Sequence, residues 1–269
     1  MQLSAFCCAV IAGCGSWLSV TLGAALTFLR HDFSRRSMDA QLGVAGGMMI
    51  AASFFGLLTP AMVMTKSLGA FSFAPITVGL LIGAAFLWGV DQALPHAHEA
   101  QGTTEGFTTE WHGSALLVMA MALHHIPEGL SIGVGYGAVS TVDVLAKGVS
   151  GISLSTALVL SLSIMLQNLP EGLVVAAVMR SKGASAVNAF LCGSLSGITA
   201  PLGAALGVVL TGATATILPV TLSFAAGAMI YVVIEEVIPE ANASGNGNLA
   251  AVASIFGVCV VLVFTALFG

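Results

Sequence analysis

Charge is what this sequence has least of. Asp, Glu, Lys and Arg together make up 7% of its 269 residues, against roughly a quarter in an ordinary soluble domain. So few charges cannot cover the surface of a water-soluble fold of this length, so lipid must be the solvent for most of it. The seven basic residues form no patch, which removes the electrostatic footprint expected of a nucleic-acid-binding protein. Metal-knuckle spacing is missing as well. The five cysteines (Cys7, Cys8, Cys14, Cys192, Cys259) lie in apolar stretches with no CxxC pair and read as small buried hydrophobes. There is no HExxH, the pattern that would mark a zinc hydrolase. The net charge of −5 rests on too few groups to say much about partners.

Apolar residues are what is there. They make up 57% of the chain, and the mean hydropathy is +1.02. A helix needs about 20 apolar residues to cross the bilayer core, and runs of that length recur from end to end. They are continuous rather than alternating, which argues against a transmembrane barrel. The expected fold is all-α: a single polytopic membrane domain over residues 1–269 with eight transmembrane helices, near 4–29, 40–64, 73–94, 114–137, 152–179, 185–210, 219–240 and 248–268. The first run has no basic residue before it and a basic cluster after it, the wrong order for a cleaved signal. Arg30, Arg35, Arg36, Arg180 and Lys182 fall on one side of this layout, and Lys66 and Lys147 on the other. The positive-inside rule then puts both termini outside the cytoplasm, in a multi-pass protein of the plasma membrane or a bacterial inner membrane.

Two connections stand out. Residues 95–113 carry Pro95, His96, His98, Glu99, Glu105, Glu110 and His112 with no Lys or Arg; this reads as a solvated linker on the cytoplasmic side, with weak metal binding as the sharper alternative. Asn242-Ala243-Ser244 spells a glycosylation sequon, but this topology places it in the cytoplasm, where it would go unused.

The informative residues are the ionisable ones deep inside apolar spans. Each costs roughly 2.5–3.5 kcal/mol at a helix centre on insertion scales, so it survives only against a partner, water or an ion. His124, His125 and Glu128 lie in span four and Glu171 in span five. Residues three and four apart share a helix face, so Glu128 lies one turn beyond both histidines. Gln167, Asn168 and Glu171 repeat that wedge 43 residues later. Counted at about 1.5 Å per residue, the two wedges sit at matched depth near the bilayer midplane. Pro127 and Pro170 remove backbone donors beside them, freeing the carbonyls of Leu123 and Leu166, and Gly129 and Gly172 allow close approach or a local bend. Imidazole and carboxylate suit Zn²⁺ and other first-row divalent ions. Carboxamide oxygens are weaker ligands, which suits an ion that must leave again. The blander reading is a self-paired polar cluster that locks two helices together.

The pair HHIPEGL (124–130) and QNLPEGL (167–173) resembles the helix-four and helix-five signatures of the ZIP (Zrt/Irt-like protein) metal transporters, and within them the GufA-like branch. Met48–Phe55, Leu195-Ser196-Gly197 with Pro201-Leu202-Gly203, and Phe224–Met229 continuing to Glu235–Ala241 extend the similarity. The resemblance implies an eight-helix fold and a binuclear centre between helices four and five. Its cargo is Zn²⁺ or another divalent ion (Fe²⁺, Mn²⁺, Cd²⁺), carried into the cytosol as transported substrate, and homodimers are common in the family. By position, one site would use His124, Glu128, Gln167 and Glu171, with Met49 as a further ligand; the other would use His125 and Asn168 with bridging Glu128 and Glu171. Two departures stand out: His125 replaces the usual Asn, and Ala200 occupies a position where this branch often has Glu.

Asp91, Glu235, Glu236 and Glu240 lie toward the expected cytoplasmic ends of spans three and seven and could draw cations along an exit path, though helix-end charge at an interface needs no function. The remaining methionines near the spans read as packing. Two other classes compete with a metal carrier. An intramembrane metal-dependent hydrolase would need an open metal position and a general base. A proton-coupled organic-solute carrier would need recognition groups that the two wedges lack.

Overall fold

The computed structural model describes residues 4–29, 33–94, 96–98, 103–105, 113–144, 153–211 and 217–268. Eight long helices run through them. They are α1 (Ala5–Phe28), α2 (Arg35–Phe71), α3 (Phe73–Ala93), α4 (Gly113–Val144), α5 (Leu154–Ser181), α6 (Ala186–Thr211), α7 (Leu218–Asn242) and α8 (Gly247–Phe268). Seven of them, α1 to α3 and α5 to α8, are long and apolar enough to cross a membrane. The 32 residues of α4 reach about 48 Å at 1.5 Å per residue, more than the bilayer core requires. The fold is all-α and polytopic. Among the described residues its only strands are β1 (His96–His98) and β2 (Thr103–Glu105), an antiparallel hairpin with His96 opposite Glu105. Part of the stretch read as a plain linker is therefore ordered by strand pairing. Pro95, Glu99, Glu110 and His112 lie outside the described residues, as do Arg30 and Lys147.

Serines open several helices. Ser4, Ser34, Ser153 and Ser185 each accept a hydrogen bond from the backbone N–H three residues on, satisfying donors that a helix start leaves orphaned. The prolines act in two ways. Pro127 and Pro170 lie inside uninterrupted helices, so the bends their positions suggested are absorbed without a break. Pro60 and Pro239 instead follow π-helical turns, Ser53–Leu58 and Val233–Val237. A proline ring crowds the carbonyl four residues back, and widening the preceding turn by one residue relieves that crowding. In the first case Thr59 Oγ1 donates to Phe54 O at 2.9 Å. A further break at Gly197–Ile198 divides α6.

The helices pack as two groups. α1, α4, α5 and α6 make extensive mutual contacts; α3 packs on α7 and α2 on α8. The groups meet where α2 crosses α5 and α4 crosses α7. Small residues set the closeness within a group, as is usual in membranes. A Cβ on Gly129 would lie 2.1 Å from Ala200 O, and one on Gly172 would lie 2.0 Å from Val20 O, so at these points backbone touches backbone. The outer faces of α3 and α8 carry exposed Leu81, Phe86, Trp88, Ile255, Phe256 and Leu267, as a lipid-facing surface requires.

Candidate metal centre

The polar wedges of α4 and α5 face each other in the interior. His125, Glu128, Gln167 and Asn168 are fully buried, and His124 and Glu171 nearly so. Gln167 Nε2 donates to Glu128 Oε1 at 3.0 Å, which joins the two motifs directly. His125 Nε2 stands 3.7 Å from Glu171 Oε2 and 4.0 Å from Glu128 Oε2. One ligand atom from each of His125, Glu128 and Glu171 lies within 4.8 Å of the others. This is the one such cluster among the described residues.

The ring orientation of His125 follows from its other nitrogen. Nδ1 lies 2.6 Å from the backbone oxygen of Met121. A carbonyl oxygen only accepts, so Nδ1 donates there and Nε2 is the ring nitrogen turned toward the carboxylates. A backbone carbonyl behind the imidazole is the usual support of a metal-binding histidine. Glu128 Oε2, both Glu171 oxygens, Gln167 Oε1 and Asn168 Oδ1 have no hydrogen-bond partner among the described residues. Lone pairs crowded together without donors in a dry interior repel one another. A cation between them removes that conflict. Ligands on one tetrahedral Zn²⁺ at about 2.1 Å would lie about 3.4 Å apart, so the observed spacing needs only a small contraction.

The adjacent histidines part company. His125 joins both carboxylates, the arrangement expected for one of two sites. His124 pairs with Glu236 on the π-helical turn of α7. Met49 is fully buried in the main apolar core. Asp91 is buried on α3. Glu235 lies beside Glu236 on the same turn. Glu240 accepts from Arg35 Nη2 at 2.5 Å, and Arg35 Nε reaches Asp39 Oδ1 at 3.0 Å. Ser16 was not singled out from the sequence, yet its Oγ accepts from Asn168 Nδ2 at 2.7 Å. A lone serine in an apolar helix gives no signal of such a role.

Known proteins resemble this chain over most of its length. The ZIP zinc transporter family model matches residues 91–265, a range containing both wedges. The chain belongs to the ZIP zinc transporter family. Its relatives include human zinc transporter ZIP11, 33% identical over 92% of this chain and 93% of that protein. Zinc transporter GufA of Myxococcus xanthus is 33% identical over 90% of this chain and 91% of its own length. Zinc transporter ZIPB of Bordetella bronchiseptica is 34% identical over 94% and 79%. These ZIP relatives are named as transporters, not as enzymes.

Proposed function

We propose that this ZIP protein is a carrier that moves divalent metal ions, Zn²⁺ foremost and Fe²⁺, Mn²⁺ or Cd²⁺ as further candidates, across a membrane into the cytosol. The observation that carries the reading is the convergence of His125 Nε2 on Glu128 and Glu171 in a buried, donor-poor space. Two carboxylates beside neutral ligands balance one divalent cation. In this reading Gln167 and Asn168 add carboxamide oxygens. His124 with Glu236 forms the next polar station, and Glu235, Asp91 and Glu240 extend an acidic route beyond it. Movement of one helix group against the other would open the site alternately to the two sides.

The orientation follows from charge. Arg35 and Arg36 start α2 and Arg180 ends α5, on one membrane face, while Lys66 lies toward the far end of α2. The positive-inside rule makes the first face cytoplasmic, with both termini outside, in a plasma or bacterial inner membrane. A homodimer is the assembly to test for. A hydrolase reading has less support, because the carboxylates that a metal-bound water would need as base are here the ligands themselves. The test is metal uptake into proteoliposomes. Glu128→Ala and Glu171→Ala should each abolish uptake while the protein still folds, and wild-type rates in these variants would refute the proposal.

A further inference from the structure

A carboxamide is two-faced. Its oxygen binds a cation and its NH₂ repels one, so what holds one end decides which end the ion meets. Both carboxamides of the α5 wedge show the same division. Gln167 spends an N–H on Glu128, and Asn168 spends one on Ser16 Oγ at 2.7 Å. In each, the oxygen is left without a hydrogen-bond partner among the described residues. Ser16 and Asn168 are both fully buried.

We infer that Ser16 on α1 is a positioning residue that turns the Asn168 carboxamide oxygen toward the ion. The inference rests on the function proposed above. The backbone around the pair keeps it in register. Val20 lies one turn beyond Ser16 and Gly172 one turn beyond Asn168, and a Cβ on Gly172 would stand 2.0 Å from Val20 O. A Cβ on Gly23 would likewise stand 1.9 Å from Leu169 O. With the helices in backbone contact, a side chain as short as serine spans the gap, and Ser19 Oγ bonds Met165 O alongside it. Deleting the Ser16 hydroxyl frees the amide to rotate and present its N–H groups to the ion. Supporting partners of this kind typically change metal affinity 10–100-fold.

The test is calorimetric titration of Zn²⁺ and Mn²⁺ into purified full-length protein in detergent, with thermal unfolding as the control for folding. Ser16→Ala should weaken Zn²⁺ binding about tenfold. It should weaken Mn²⁺ more, since a hard carboxamide oxygen matters more to that ion. Ser16→Thr, which keeps the hydroxyl, should bind as wild type. Ser16→Cys keeps the volume but is a poor acceptor, and should behave as Ser16→Ala. In an Asn168→Ala background, Ser16→Ala should add nothing, because it acts only through the amide. Wild-type binding by Ser16→Ala and Ser16→Cys, or losses that multiply in the double variant, would overturn the inference. Glu171→Gln, titrated in parallel, separates the two levels. If it still binds Zn²⁺, the reading of the site fails and this inference with it. If it does not bind while Ser16→Ala does so normally, the Ser16 role alone fails.

Discussion

Replacing Glu171 by Gln should make the metal-free protein more stable while destroying its response to metal. Both Glu171 oxygens lack hydrogen-bond partners among the described residues, and its ligand oxygen lies within 4.8 Å of that of Glu128. Two unit charges at that distance repel by about 3.5 kcal/mol at an effective dielectric constant of about 20. That sets the scale of the relief when both carboxylates are ionised. A carboxamide of nearly equal volume leaves the packing intact and can donate to Glu128. In wild type the same repulsion is offset by the ion. Metal at 100 times its dissociation constant adds about 2.7 kcal/mol to the folded state. The assay is thermal unfolding in detergent, with chelator and with added Zn²⁺. Wild type should melt higher with Zn²⁺ than with chelator. Glu171→Gln should melt above wild type in chelator and gain little or nothing from Zn²⁺. A variant that melts below wild type in chelator, or keeps the full Zn²⁺ shift, would refute the reasoning, because the carboxylate would then be a structural partner and not a ligand held ready.

Other consequences can be checked separately. Protons compete with metal for the His125 Nε2 lone pair and the two carboxylates, so Zn²⁺ affinity measured by titration should fall as pH is lowered; affinity that is flat or rises toward acid would contradict the ligand set. Gly172→Val should separate α1 from α5, since its Cβ would meet Val20 O at 2.0 Å. The cost should be at least about 1–3 kcal/mol, seen as a lowered melting temperature, while Gly89→Ala, whose Cβ would meet nothing within 4 Å, should be neutral. Arg35→Ala should cost about 1–3 kcal/mol, because it strips Asp39, whose side chain is fully buried, of its charged partner and releases Glu240. Unfolding measurements should show the loss even where uptake per folded molecule is kept.

What could be read in advance divides along physical lines. The helix layout was legible because lipid leaves a helix no choice but continuous apolar residues, and spans such as Phe73–Ala93 and Gly247–Phe268 carry that demand openly. The convergence of α4 and α5 was legible because buried charge is costly and helical spacing fixes which side chains share a face. Hydrogen bonding between Gln167 and Glu128 is the structural counterpart of that spacing. The pairing of His124 with Glu236 was not legible. His124 and His125 are neighbours in sequence, but about 100° apart around a helix, so one reaches Glu236 and the other the carboxylate pair. Which goes where depends on how α7 is placed, and periodicity within α4 carries no information on that. The same holds for Ser16, whose chemistry appears only once α1 is set against α5. The two π-helical turns were hidden because Pro60 and Pro239 were compatible with a kink, a helix end or a widened turn. The Arg35–Glu240 pair joins residues 205 positions apart, beyond any local pattern.

The central claim is that one divalent cation binds between His125, Glu128 and Glu171. Anomalous diffraction from crystals grown with Cd²⁺ or Zn²⁺, collected at the metal's absorption edge, tests it most directly. The account predicts a peak within bonding distance of His125 Nε2 and of a carboxylate oxygen of both Glu128 and Glu171, lost in Glu171→Gln. A well-occupied peak elsewhere, with the three side chains empty of metal, would contradict it.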